Sequence, residues 1–139
     1  IKRSSKGDTT VLVPGNIDFL GAGPIKEAEK RFPGRIYHIH NAAITAVRTE
    51  RKELEAVAQL LAQRCNAAKG PFSILVPLEG FSVFDQKGGP FHDQEGPELF
   101  GETLKKHLQP GTSLHLLPYH INDPEFTEAI IKSLDQVLK

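Results

Sequence analysis

Short apolar runs alternate along the chain with longer segments in which apolar residues recur at helical spacing. Four runs have the length and the β-branched or aromatic content of strands, namely Thr9–Val13, Arg35–His40, Phe72–Pro77 and Ser113–Leu117. The segments between them predict helices at residues 24–31, 49–68 and 97–108 and a last helix from Pro124. Strands that alternate with helices are typical of a parallel sheet covered on both faces. We therefore expect one α/β domain over residues 1–139, with a three-layer, Rossmann-like parallel sheet of about four strands and flanking helices.

Three segments that lack either pattern are expected to be loops, at residues 16–24, 42–47 and 78–96, and residues 1–8 are expected to be a loop as well. The third segment is long for a loop inside a compact domain, and loops of that length tend to be functional or disordered. It contains Phe81, Phe84 and Phe91, and this density of aromatic residues predicts a loop that is pinned onto a core rather than disordered.

Polar side chains follow each of the four predicted strands. They are Asn16 and Asp18, then Asn41, Thr45 and Arg48, then Glu79, Ser82 and Asp85, and finally His120, Asn122 and Asp123. The carboxyl ends of parallel strands share one edge of a sheet, where ligands of open α/β sheets bind. The segments that lead into the strands are plain turns, so this asymmetry predicts one polar site. The expected ligand-binding residues are Asn16, Asp18, Asn41, Thr45, Arg48, Ser82 and Asn122, and Arg48 favours an anionic small molecule.

If the site is catalytic, His120 with Asp123 or Asp85 supplies the acid/base candidates. Each has a structural alternative: Asp123 is suited to cap the last helix, His120 to bind a loop carbonyl, and Asp85 to cap a turn. The chain contains no P-loop, nucleophile elbow or metal triad, so the sequence leaves open whether it is an enzyme. A hydrolase would rest on Ser82 alone, and no metal is expected.

The charge balance narrows the classes of partner. Lys and Arg number 17 and Asp and Glu number 17, so the formal net charge is zero. A nucleic-acid scaffold or a polybasic membrane binder needs a concentrated positive field, so neither nucleic acid nor a membrane is an expected partner. The single cysteine, Cys65, is expected to be buried on a helix and to remain a free thiol. A reducing compartment, the cytoplasm, is the expected location.

Five motifs run through the chain, at residues 13–18 (VPGNID), at His40-Asn41 with Thr45 and Arg48-Thr49, at residues 77–82 (PLEGFS) with Asp85, at residues 89–93 (GPFHD) and at residues 120–126 (HINDPEF). In this combination and order they resemble the Tm-1-like ATP-binding domain family, also called UPF0261. The resemblance covers nearly the whole chain.

The resemblance implies that the chain is a fragment of a longer, two-lobed protein and corresponds to the later part of its second lobe. It also implies ATP with Mg²⁺ as the ligand, with contacts shared among parts of the family's proteins that precede this segment. Glu79 stands where many relatives are expected to have lysine, and His92 where they have tyrosine. The absent lysine weakens the expected phosphate contact at that position.

The expected partners are therefore an anionic small molecule, the remaining lobe and a second copy of the chain. A homodimer is expected because a fragment of a sheet exposes edge strands. The alternative function is a protein–protein interaction or assembly module without catalysis, in which the phenylalanines of the long loop contact the partner.

Overall fold

A computed structural model describes residues 10–138. Thr9, the predicted start of the first strand, and the expected loop at residues 1–8 lie outside the described residues. The elements are, in chain order, β1 (Thr10–Leu12), β2 (Phe19–Ala22), α1 (Ile25–Arg31), β3 (Tyr37–Asn41), β4 (Ile44–Arg48), α2 (Arg51–Asn66), β5 (Phe72–Pro77), α3 (Gly96–His107), β6 (Ser113–Leu117) and α4 (Pro124–Val137).

The main sheet is parallel, with the strand order β1-β5-β6. Its register aligns Leu12 with Ile74 and Ile74 with Leu114. The central strand β5 has the predicted bounds and is buried from Ser73 to Pro77, as expected for a strand covered on both faces. The predicted α/β, Rossmann-like class is thus confirmed, but the parallel sheet has three described strands rather than four.

The fourth predicted strand belongs to a second sheet, which is antiparallel and has the order β2-β4-β3. The prediction that residues 35–40 join the parallel sheet was wrong, because β3 pairs with β4 in a hairpin. The Asn41 side-chain oxygen accepts hydrogen bonds of 2.9 Å from the backbone N–H groups of Ala43 and Ile44 and so closes this hairpin. The loops expected at residues 16–24 and 42–47 were also partly wrong, since they contain β2 and β4.

The helices cover the two faces of the parallel sheet. Leu54 of α2 and Phe100 of α3 share one core cluster with Ile74 and Val76 of β5. Helix α4 contacts β1 and β5. Leu75, which points opposite to Ile74 and Val76, and Phe126 of α4 are both buried but lie outside this cluster, so α4 forms the third layer on the other face. None of the helices within residues 10–138 is long and apolar enough to cross a membrane.

The long loop between β5 and α3 joins the two sheets, and the prediction that its phenylalanines pin it to a core is confirmed. Phe81 and Phe91 are buried. The ring of Phe84 lies 5.1 Å from that of Phe19 in β2 and 4.8 Å from that of His38 in β3, measured between centroids. These aromatic contacts hold the loop of the parallel sheet against the antiparallel sheet.

Two helix starts differ from the prediction in how they are capped. Glu50, rather than Thr49, is the N-cap of α2 and forms a capping box with Glu53. Asp123 occupies the N-cap position of α4, but its side chain makes no capping bond there. Its carboxylate instead accepts a 2.7 Å hydrogen bond from the backbone N–H of His120.

Candidate functional site

The loops that follow β1, β5 and β6 meet at the carboxyl edge of the parallel sheet. The backbone N–H of Asn16 donates to the carbonyl oxygen of Phe81 at 2.9 Å, and that of Ile121 donates to Gly80 at 3.1 Å. Gly80 has a φ of 135°, and a Cβ at this position would lie 1.7 Å from the carbonyl oxygen of Asp85. Only glycine therefore permits this close approach of the backbones.

Four buried polar side chains at this edge, Asp18, Ser82, Asp85 and His120, form what we call the strand-end cluster. Ser82 Oγ donates a 2.5 Å hydrogen bond to Asp18 Oδ2. His120 Nε2 lies 2.9 Å from the carbonyl oxygen of Ser82, so the expectation that His120 binds a loop carbonyl is confirmed. The backbone N–H of Asn122 donates to His120 Nδ1 at 3.2 Å. Both contacts are satisfied together when Nε2 carries the proton.

Burial dominates the electrostatics of the two carboxylates in the strand-end cluster. It raises the pKa of Asp18, against the hydrogen bond from Ser82 and the positive charge of Arg48, which lower it. Burial also raises the pKa of Asp85 to about 6, and the negative charge of Asp18 contributes to the rise. The Asp85 carboxylate accepts hydrogen bonds from the backbone N–H groups of Phe81 at 3.2 Å and Asp93 at 3.1 Å. The Asp85 side chain thereby connects the beginning of the long loop, at Phe81, with its end, at Asp93.

Beside the strand-end cluster lies an open space of about 260 Å³, which we call the arginine cavity. Arg35, Arg48 and Arg51 line it, together with Thr49 and with the carboxylates of Glu50 and Asp93. These arginines precede β3, end β4 and begin α2, respectively, so three elements bring them together.

The three arginines differ in how firmly they are held. Arg35 is fixed internally, because its guanidinium donates to the carbonyl oxygen of Arg48 and pairs with Glu53 at 2.6 Å. Arg48 and Arg51 instead share one carboxylate, that of Asp93, at 3.0 Å and 2.9 Å, and Arg51 also pairs with the exposed Glu95 at 2.6 Å. The side chain of Arg51 is 53% exposed. Arg48 and Arg51 are therefore the cations that a ligand can reach.

The structure brings together some of the predicted site residues and separates others. Asp18, Ser82, Asp85 and His120 cluster, Arg48 adjoins them, and Asp123 binds the backbone of His120. The backbones of Asn16 and Asn122 lie at the carboxyl edge of the parallel sheet, but both residues are exposed.

Two predicted residues lie elsewhere in the fold, in the antiparallel sheet. Asn41 is at the turn of the β3–β4 hairpin. Strand β4 runs from this turn to Arg48, which is a length of roughly 13 Å at the usual rise per residue of a strand. Thr45 is buried within β4, three residues before Arg48. The ligand-binding and catalytic roles of these residues remain predictions.

Five polar residues that line the arginine cavity were missed as site residues from the sequence: Arg35, Thr49, Glu50, Arg51 and Asp93. Arg48 and Arg51 are three residues apart across a helix start, and this spacing was the available signal for Arg51. Within residues 10–138, no three His, Cys, Asp or Glu side chains are grouped so as to hold a metal ion.

Comparison with known proteins places the chain among its relatives. A family model described as the C-terminal domain of uncharacterised protein family UPF0261 matches residues 4–138. A UPF0261 protein of Mesorhizobium japonicum is 32% identical over 123 residues, which are 87% of this chain and 31% of that protein. A UPF0261 protein of Clostridium tetani is 29% identical over 137 residues, covering 98% and 34% of the two chains.

The similarity extends to a plant protein. The ToMV resistance protein Tm-1 of Solanum lycopersicum is 30% identical over 129 residues, or 91% of this chain and 17% of that protein. The chain thus spans about a third of the length of these bacterial relatives, and less of the tomato protein. Because the family model covers nearly the whole chain, the chain belongs to the uncharacterised protein family UPF0261.

Proposed function

We propose that this chain binds the anionic group of a small molecule in the arginine cavity, with the phosphates of ATP and its Mg²⁺ as the first candidate. The observation that carries the proposal is the convergence of Arg35, Arg48 and Arg51 on one open space. Guanidinium groups bind phosphate and carboxylate through two parallel hydrogen bonds, which gives both strength and geometry. The choice of ATP rests on the resemblance to the Tm-1-like ATP-binding domain family.

The formal charges around the cavity balance, so the attraction for an anion comes from where the cations lie. Three guanidinium groups and the carboxylates of Glu50 and Asp93 leave one positive charge on the lining, and the groups that pair with lining residues, Lys52, Glu53 and Glu95, bring the sum to zero. The cavity also lies at the N-terminus of α2, a helix of 16 residues whose dipole adds a partial positive charge. An anion bound between Arg48 and Arg51 would share these two cations with Asp93.

The size of the cavity matches part of a nucleotide rather than all of it. Its volume of about 260 Å³ is below the roughly 300–1,000 Å³ of typical small-molecule sites. It accommodates a phosphate or carboxylate group, while the rest of the ligand would contact other parts of the full-length protein. The remaining lobe is therefore a proposed partner, since the chain spans 31% of the Mesorhizobium japonicum relative.

Titration of the chain with ATP, ADP and inorganic phosphate, with and without Mg²⁺, tests the proposal by calorimetry and thermal shift. A ligand that binds only the folded state raises Tm with concentration. Arg48→Gln and Arg51→Gln should each weaken binding by roughly 10-fold, the value of a charge-assisted hydrogen bond. Arg51 is the safer variant, because its side chain is half exposed.

Arg64→Gln is the matched control for this titration, since Arg64 is an exposed arginine of α2 outside the cavity lining. It should bind all three anions like the wild type. No Tm shift at millimolar ligand, or the same loss of affinity in all three variants, would contradict anion binding in the arginine cavity.

An assembly function is the second candidate, and one surface favours it. Ile36, Ile39 and Ile44 are 49%, 57% and 47% exposed and belong to the β3–β4 hairpin region. By the register of the hairpin, Ile39 lies on one face and Ile36 and Ile44 on the other, so apolar side chains flank the edge strand β3 on both faces, and β3 offers unpaired backbone groups. The partner would be a second copy of the chain or the remaining lobe. The loop phenylalanines Phe81 and Phe91 are buried and do not contribute to this surface.

Sedimentation equilibrium of wild-type, Ile39→Thr and Val83→Thr chains separates the two functions. Val83 is 56% exposed in the long loop and serves as the control. If the hairpin mediates a homodimer, only Ile39→Thr should weaken association. A monomeric wild-type chain, or equal effects of the two substitutions, would contradict this assembly.

A further inference from the structure

A second, much smaller cavity adjoins the arginine cavity, with which it shares Arg48, Thr49 and Asp93. We call it the inner cavity. Asp18 and Asp85 of the strand-end cluster line it as well. Its volume is about 10 Å³, close to the space that one water molecule requires and too small for a larger ligand.

Two buried oxygen atoms of the inner-cavity lining have no hydrogen-bond partner within the described part of the chain. They are Oδ1 of Asp18 and Oγ1 of Thr49. The two residues are 5% and 8% exposed. They are also neighbours, because the backbone N–H of Thr49 donates to the carbonyl oxygen of Asp18 at 2.9 Å. A buried polar atom without a hydrogen-bond partner lowers the stability of the folded state, and the cost is greatest for a carboxylate. A bound molecule that forms hydrogen bonds with both atoms would remove this cost.

We propose that the inner cavity is a binding site for one water molecule, which donates a hydrogen bond to Asp18 Oδ1 and accepts one from Thr49 Oγ1. Buried waters typically make two to four hydrogen bonds to polar groups that the protein leaves unpaired. Here the water completes the solvation of a carboxylate whose other oxygen already accepts the Ser82 hydroxyl. It thereby joins the strand-end cluster to the start of α2.

The lining favours water over a metal ion. Asp18, Asp85 and Asp93 contribute carboxylates, but the guanidinium of Arg48 lines the same cavity and pairs with Asp93 at 3.0 Å. Asp85 directs its carboxylate oxygens to two backbone N–H groups. Among residues 10–138 no set of three potential ligands is placed to coordinate a metal. A neutral molecule that both donates and accepts hydrogen bonds fits these surroundings.

Two threonine-to-valine substitutions test the proposal through the sign of their effect on stability. Thr45 is the matched control: it is also buried and its Oγ1 also lacks a partner, but it does not line the inner cavity. Replacing an unpaired buried hydroxyl by a methyl group of the same shape is neutral or stabilising, whereas removing a satisfied hydroxyl is destabilising.

Thr49→Val should therefore lower Tm by roughly 3 °C or more, while Thr45→Val should leave Tm unchanged or raise it. A Thr49→Val chain that is as stable as the wild type, or more so, would overturn the water site. Thr49→Ser, which keeps the hydroxyl, provides a second measurement and should retain more of the stability than Thr49→Val does. Equal losses in the serine and valine variants would also overturn it.

A high-resolution crystal structure of the 139-residue chain gives an independent readout. A single density peak within hydrogen-bond distance of both Asp18 Oδ1 and Thr49 Oγ1 supports the proposal. An empty cavity overturns it. A peak with several oxygen atoms at about 2.0–2.6 Å also overturns it, because such distances are those of a hard cation.

Discussion

Arg48 Nη2 lies 3.0 Å from Asp93 Oδ2, and this ion pair joins the end of β4 in the antiparallel sheet to the long loop of the parallel sheet. The same carboxylate binds Arg51 at the start of α2 at 2.9 Å. The Asp93 side chain is only 13% exposed, and the hydrogen bond from Arg51 holds the pKa of its carboxyl below the ordinary value. Asp93 thus fixes the loop in place while it occupies the cations that an anionic ligand needs.

Asp93→Asn should have opposite effects on stability and on anion binding. Loss of the charge removes the ion pair of Arg48 and one of the two ion pairs of Arg51, which keeps Glu95, so the free energy of unfolding should fall by about 1–3 kcal/mol. The freed arginines should bind ATP or inorganic phosphate more tightly. Urea unfolding and calorimetric titration measure the two effects.

Glu98→Gln is the control for Asp93→Asn, because Glu98 is an exposed carboxylate in the first turn of α3. It should change neither quantity appreciably. Weaker anion binding in Asp93→Asn would indicate that Asp93 positions the arginines rather than competing for them.

Asp85 should make the chain more stable as the pH falls from 7 to 5. Its pKa rises from the ordinary 3.8 to about 6 in the folded chain, chiefly through burial. The folded state therefore binds a proton that the unfolded state releases in this range. The resulting gain is about 1 kcal/mol between pH 7 and pH 5 and approaches about 3 kcal/mol below pH 4.

Comparison with Asp85→Asn isolates this contribution from those of other titrating groups. Urea unfolding of both chains at several pH values should show a stability difference that shifts in favour of the wild type as the pH falls. A difference that is constant with pH would show that Asp85 keeps its ordinary pKa in the folded chain.

The parallel sheet was predictable because β5 is an almost continuous apolar run and β6 alternates leucines with Ser113 and His115, and both are bounded by turn residues. The antiparallel sheet was not predicted: β2 contains Gly21, and β4 was read as a loop although Ile44, Thr45 and Val47 are β-branched. Such short strands are specified by their pairing partners more than by their own composition. The alternation of residues 35–40 was itself a signal, since it is typical of an antiparallel strand with one solvated face.

The positions of the candidate-site residues were likewise predicted correctly for residues that follow the parallel strands and less well for residues of the antiparallel sheet. Asp18, Ser82, Asp85 and His120 cluster as expected, because they follow strands whose parallel topology was predicted correctly. Asn41 is elsewhere because its strand runs in the other sheet. Arg48 reaches the cluster for a reason that the sequence did not reveal: the β3–β4 hairpin reverses the chain and returns it to that edge.

Gly80→Ala should destabilise the chain severely. The φ of Gly80 is 135°, and an added Cβ would lie 1.7 Å from the backbone of Asp85 and 2.8 Å from the ring of His120. Relief of these contacts requires the loops after β5 and β6 to separate, so we expect the free energy of unfolding to fall by more than about 3 kcal/mol, measured by urea or thermal unfolding.

Gly88→Ala is the control for Gly80→Ala: the φ of Gly88 is 85°, and a Cβ there meets nothing within 4 Å. It should cost about 1 kcal/mol, the strain of a left-handed alanine. Similar losses at the two positions would contradict the close packing at Gly80.

His120 and His107 should be opposite neutral tautomers. His120 Nδ1 accepts a hydrogen bond from the backbone N–H of Asn122, so its proton must lie on Nε2, which donates to the carbonyl oxygen of Ser82. His107 Nδ1 lies 2.8 Å from the carbonyl oxygen of Thr103, which can only accept, so this ring must carry its proton on Nδ1.

Nitrogen chemical shifts of the two imidazoles, measured by NMR at a pH where both rings are neutral, report the tautomers directly. The same tautomer in both rings would show that one of these contacts is not formed. If His120 carries its proton on Nδ1, its hydrogen bonds with the backbone N–H of Asn122 and with the carbonyl oxygen of Ser82 are both lost.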